Sequence, residues 1–146
     1  MQALFLLGRI IFGGYFLYNG VNHFLSYATM VGYTQSKGVP LPQAAVIFTG
    51  ILLIVGGASV LLGLWPRLGL ACIALFLIGV TPMMHNFWAV ADPQARLGDT
   101  INFTKNFALL GGTLMMYAIP RPWAMSLDRR RPAQATSFDQ GRRRIA

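Results

Sequence analysis

Long stretches without a charged side chain dominate this sequence. Residues 10–36, 38–66 and 68–91 contain no Lys, Arg, Asp or Glu, and residues 106–120 form a shorter fourth run that Ile101 extends to a full span. A helix needs about 20 mostly apolar residues to cross a bilayer. In lipid, the helix is also the simplest way to satisfy every backbone N–H and C=O within one segment. Charged residues make up 11% of the chain and hydrophobic ones 55%, whereas a soluble domain carries about 25% charged residues. That balance argues against a soluble globular enzyme and against disorder over most of the length. The single cysteine excludes a disulfide scaffold and a cysteine zinc cage.

The runs predict helices over residues 2–24, 43–64, 68–86 and 101–119. The expected fold is all-α: a polytopic, antiparallel four-helix transmembrane bundle over residues 1–122, followed by a flexible basic tail over 123–146. Pro42 suits the first turn of the second helix. The short Trp65-Pro66-Arg67 link forces the second and third helices into a hairpin. Asp92-Pro93 reads as the opening of a polar loop. Tyr27, Met30, Val31 and Tyr33 read as an interfacial turn on the bilayer. Gly13 and Gly20 share one helix face, while Gly56-Gly57 and Gly111-Gly112 predict close helix approach. A secretory signal peptide fits poorly, because no basic segment precedes the first apolar run.

Lys and Arg set the expected orientation. Four spans place both termini and Arg67 on one side with 8 basic residues, and Lys37, Arg96 and Lys105 on the other, with Arg9 inside a span. Both termini are therefore expected in the cytoplasm. The arginine-rich tail reads as a contact for anionic lipid, not for nucleic acid, since it carries one aromatic residue and no recognisable motif.

Polar residues inside spans are costly and mark interior sites or interfaces. Arg9, Gly13, Phe16, Gly20 and His23 form a stripe on the first helix. Arg9 has two readings, snorkelling to the headgroups or contacting an anion or headgroup within the bundle. His23, His85, Asn102, Lys105 and Asn106 all fall near the outer ends of three helices and predict a polar pocket there. Two histidines permit a bis-His haem only if both rings reach one level, and no second feature supports haem. A structural zinc site wants four ligands, so no metal is assigned. A quinone headgroup needs only hydrogen-bonding groups near a lipid-accessible cleft, which His, Asn and Lys supply.

Several short motifs appear in order: Gly8-Arg9 with Ile11-Phe12, Phe16-Leu17 and Asn19-Gly20; Gly38-Val39-Pro40; Gly56-Gly57 with Leu62-Gly63-Leu64 and Arg67; His85-Asn86-Phe87-Trp88 with Asp92-Pro93; and Asn102-Phe103 with Lys105-Asn106 and Gly111-Gly112. Over about residues 2–120 the chain resembles the DoxX family of small four-span bacterial membrane proteins. The resemblance implies four membrane helices and a link to membrane redox systems. One departure is the absence of a Glu that many members carry shortly before the Gly-Gly pair, where this chain reads Gly50-Ile51-Leu52-Leu53-Ile54-Val55. The expected role is an accessory or quinone-associated subunit of a membrane redox system. The alternative is a non-catalytic structural or assembly subunit packed against a larger membrane complex; the expected partners are membrane lipid and either other membrane subunits or copies of this chain in a homo-oligomer. The residues do not decide whether the chain is itself an enzyme.

Overall fold

The computed structural model describes residues 1–128. Among them are five α-helices: α1 (Gln2–Leu25), α2 (Tyr27–Ser36), α3 (Pro42–Leu62), α4 (Pro66–Met84) and α5 (Pro93–Ala118). A single 3-10 turn, Phe87–Ala89, follows α4. The fold is all-helical, and α1, α3 and the α4 region are each long and apolar enough to cross a membrane. Five helices stand where four spans were expected. The segment read as an interfacial turn is the ten-residue helix α2, which packs against α3. Its end is set by Gly38, at φ 72°, with the amides of Gly38 and Val39 bonded back to the carbonyls of Gln35 and Thr34.

Proline opens three of the helices. Pro42, Pro66 and Pro93 each occupy the first turn, where a missing N–H costs nothing. Asp92, expected to open a loop, instead caps α5, its Oδ1 accepting from the Ala95 amide at 2.8 Å. α5 therefore begins eight residues before Ile101, the expected start, and its first two turns are polar.

α3 is central and contacts α1, α2 and α4, while α5 packs on α4. Glycine sets the α1–α3 register. A Cβ on Gly57 would fall 2.3 Å from the Leu17 amide nitrogen, and one on Gly13 would fall 2.7 Å from that of Leu61. One on Gly20 would meet the Ile54 amide at 2.7 Å, and one on Gly50 would touch His23 and Phe24. Rising numbers on α1 meet falling numbers on α3, so the two run antiparallel with their backbones in contact. Gly56 against Ile73 and Gly69 against Ser59 give α3 and α4 the same antiparallel relation. Close approach does not extend to α5: a Cβ on Gly111 would meet nothing, and one on Gly112 would lie 3.8 Å from Phe12. The core gathers Phe16, Leu53, Val60, Leu70, Ile73, Leu77 and Trp123.

Arg9 is 1% exposed and sits beside the C-terminal end of α3. Its Nε donates to the Val60 carbonyl at 3.1 Å and Nη2 to Leu61 at 3.0 Å. Nη1 donates to Ala124 at 2.8 Å and Met125 at 3.4 Å. The side chain thus turns inward instead of snorkelling. The last carbonyls of a helix lack i+4 amide partners; the guanidinium bonds those of Val60 and Leu61, the first of which also accepts from the Gly63 amide. Trp123, placed at the start of the expected tail, is 4% exposed. It lies against Phe5 with ring centroids 5.3 Å apart, and the Arg9 Cζ is 5.6 Å from its ring. The Leu127 amide donates to the Leu62 carbonyl. Residues 129–146, the rest of the expected tail, lie outside the described residues.

The α1–α3 contact predicts an asymmetry between two glycines. Gly57→Ala should lower stability by about 1–3 kcal/mol, because its Cβ meets backbone and not a movable side chain. Gly14→Ala, whose Cβ meets nothing within 4 Å, should be neutral or slightly stabilising. Thermal unfolding of both variants in the same detergent checks the pair, and equal losses would refute it.

Candidate functional site

The α1 stripe expected from helical spacing forms the buried face of that helix, where Arg9, Gly13, Phe16 and Gly20 are buried. His23, one turn further on, is half-buried and lies edge-on to Phe76 of α4, with ring centroids 6.3 Å apart. Its Nδ1 stands 2.7 Å from the Asn19 carbonyl oxygen. On α5, Asp99, Asn106 and Thr113 are buried at seven-residue intervals, which is two helical turns and one face.

His23, His85, Lys105 and Asn106 line one cavity of about 290 Å³, together with Tyr15, Phe16, Asn19, Met30, Leu53, Phe76, Leu77, Val80 and Leu109. It lies between the C-terminal halves of α1 and α4 and the middle of α5. Asn102 is not among the lining residues; it holds Lys105 instead, accepting from Nζ at 2.8 Å. Arg9 lies elsewhere, beside the other end of α1. A second cavity of about 380 Å³ opens between α2, α3 and α4 and is almost wholly apolar. Its walls include Val46, Phe48, Leu52, Leu75, Met83 and Met84. His23, Met30, Phe76, Val80 and His85 belong to the walls of both cavities.

Two charged residues missing from the expected pocket organise this end. Asp99 Oδ2 accepts from Lys37 Nζ at 2.7 Å, and Oδ1 lies 3.3 Å from His85 Nδ1. The carboxylate therefore joins the residue after α2, the residue after α4 and the first turns of α5. Its side chain is 9% exposed. Burial pushes the carboxyl pKa up, but the hydrogen bonds from Lys37 and His85, and their charges, outweigh it and hold the group below the ordinary carboxylate value. The sequence signal for Asp99 was its seven-residue spacing from Asn106, obscured because 92–100 read as a loop. Behind His85, Phe87 meets Phe103 with ring centroids 5.3 Å apart and Trp88 meets it at 5.8 Å, bracing the turn after α4 against α5. Among the described residues no group of three or more His, Cys, Asp or Glu could hold a metal ion.

Apolar membrane-capable helices define a small helical integral membrane protein, in which a buried carboxylate held by two basic groups lies at the end that carries the cavities. The chain belongs to the DoxX family, whose model matches residues 4–86. It is 29% identical over 128 residues to the inner membrane protein YphA of Escherichia coli (strain K12), a match covering 88% of this chain and 90% of that one. No solved structure matches the chain. The family match includes His23 and His85 and stops before α5, so it does not reach Asp99.

The Asp99 group carries a stability prediction. Lys37→Met leaves a buried carboxylate facing only His85 and should cost about 1–3 kcal/mol in denaturant unfolding. A depressed carboxyl stabilises the fold above the unfolded-state pKa, about 3.9, and that contribution disappears as pH falls through the folded value. Removing Lys37 should therefore move the acid loss of stability to higher pH. An unchanged acid midpoint would show that the pair contributes nothing.

Proposed function

We propose that this protein is a quinone-associated accessory subunit of a membrane redox system, and that its polar cavity receives the headgroup of a lipid-soluble carrier. The observation carrying this reading is the shared wall: a cavity with His, Lys and Asn adjoins a larger apolar cavity through five common residues. An amphiphile with a hydrogen-bonding ring and an isoprenoid chain matches that division. Binding sites of this kind are mostly apolar with a few placed polar groups. The family's association with redox systems points the same way. Purified full-length chain in lipid nanodiscs should bind decylubiquinone saturably, and Lys105→Met or His85→Ala should weaken binding by about tenfold. Absence of saturable binding would leave the structural or assembly subunit as the better reading.

We further propose four crossings, with residues 101–119 of α5 as the fourth and both termini in the cytoplasm of a bacterial inner membrane. The 8-to-3 distribution of Lys and Arg supports the orientation, and the name of the Escherichia coli relative supports the compartment. On this topology Lys37, Asp99, His85 and the cavities face the periplasm. A cysteine placed at residue 37 should label in intact cells with a membrane-impermeant maleimide. Labelling only after lysis would reverse the orientation.

A further inference from the structure

Both histidines on the cavities have their Nδ1 atoms committed. His23 Nδ1 lies 2.7 Å from a backbone carbonyl oxygen, which can only accept. His85 Nδ1 lies 3.3 Å from Asp99 Oδ1. With Lys37 Nζ at 2.7 Å from its other oxygen, Asp99 is an ionised carboxylate and also only accepts. Each neutral imidazole must therefore carry its proton on Nδ1. Its Nε2 then holds a bare lone pair, and neither Nε2 makes a hydrogen bond among the described residues. We infer that the site presents His23 and His85 as two hydrogen-bond acceptors and selects the reduced, hydroxyl-bearing form of a lipid-soluble carrier over its oxidised, carbonyl form.

The inference rests on the carrier reading above and adds the redox state that the site prefers. A hydroquinone hydroxyl donates to an imidazole Nε2 while its oxygen accepts from Lys105 or Asn106, which line the same cavity. A quinone carbonyl satisfies only the donors and sets its lone pairs against those of the histidines. Asp99 is a positioning residue in this scheme: it acts through His85 by fixing which nitrogen carries the proton. The titratable groups around His85 are Asp99 and Lys105 on α5, Lys37 after α2, Tyr33 on α2, and His23 and Tyr15 on α1. Neither α3 nor the rest of α4 adds one to the cavity walls.

Two measurements on the full-length chain in nanodiscs test this. The first compares decylubiquinol with decylubiquinone near neutral pH. The reduced form should bind about tenfold more tightly. Asp99→Asn, whose amide can donate to Nδ1, should bring the two forms toward equal affinity. The second records imidazole nitrogen-15 shifts of the wild-type chain, which should show both histidines in the Nδ1–H form and need no ligand. Equal binding, a preference for the oxidised form, or an Nε2–H tautomer at His85 would overturn the inference and leave the carrier reading standing. Failure of both forms to bind would overturn the carrier reading, and the inference with it.

Discussion

Backbone-to-backbone contact between α1 and α3 is the constraint from which the remaining geometry follows. Lipid provides no hydrophobic drive between helices, so close packing must come from surfaces that allow it. Gly13 and Gly57 leave no room for a Cβ on either side, and this fixes the antiparallel register of the pair. Along that register Arg9 falls beside Val60 and Leu61, and His23 falls beside Gly50. One contact therefore aligns an arginine with the carbonyls that end α3, and a histidine with the far end where the cavities form. A slip of one turn along α1 would misalign both.

The two ends use charge differently. At the Arg9 end a buried guanidinium is held by dipoles: four carbonyl oxygens and an aromatic face surround it, and Arg121 lies 3.8 Å from Asp128 in the segment that packs there. At the other end a formal anion, Asp99, sits between Lys37 and His85. Buried charges are costly unless they find partners: Arg9 is hydrogen-bonded by carbonyls, and Asp99 is paired with Lys37. Only the Asp99 end leaves imidazole nitrogens without a protein partner beside open volume, which makes it the chemically available end.

Much of this was legible in the sequence. The stripe of Arg9, Gly13, Phe16 and Gly20 follows from helical spacing alone, because a face that excludes lipid must repeat every three to four residues. The glycines of α1 and α3 were readable for the same reason. Asp99 is not, because residues 92–100 are too polar for hydropathy to reveal the first turns of α5. Asp92 followed by Pro93 is a helix-start signal, yet hydropathy locates only the part of a helix that sits in lipid. α2 was obscured because it is short and only moderately apolar, and its clearest mark is the glycine that ends it. Gly111-Gly112 misled in the opposite direction: small residues permit close approach, and a neighbour must still arrive to use it.

The acceptors of Arg9 lie 51 and 52 residues downstream on α3, then 115 and 116 residues downstream after α5. During synthesis, the first helix therefore emerges long before anything can neutralise its guanidinium. At about 5–20 residues per second, the last partners follow after roughly 6–23 s. Until α3 arrives, the cheapest place for that side chain is the headgroup boundary, held there by its long stem. The full set of Arg9 bonds can close only after residues 124 and 125 have been made, so the ninth residue waits for the end of the described fold before its last bonds can form.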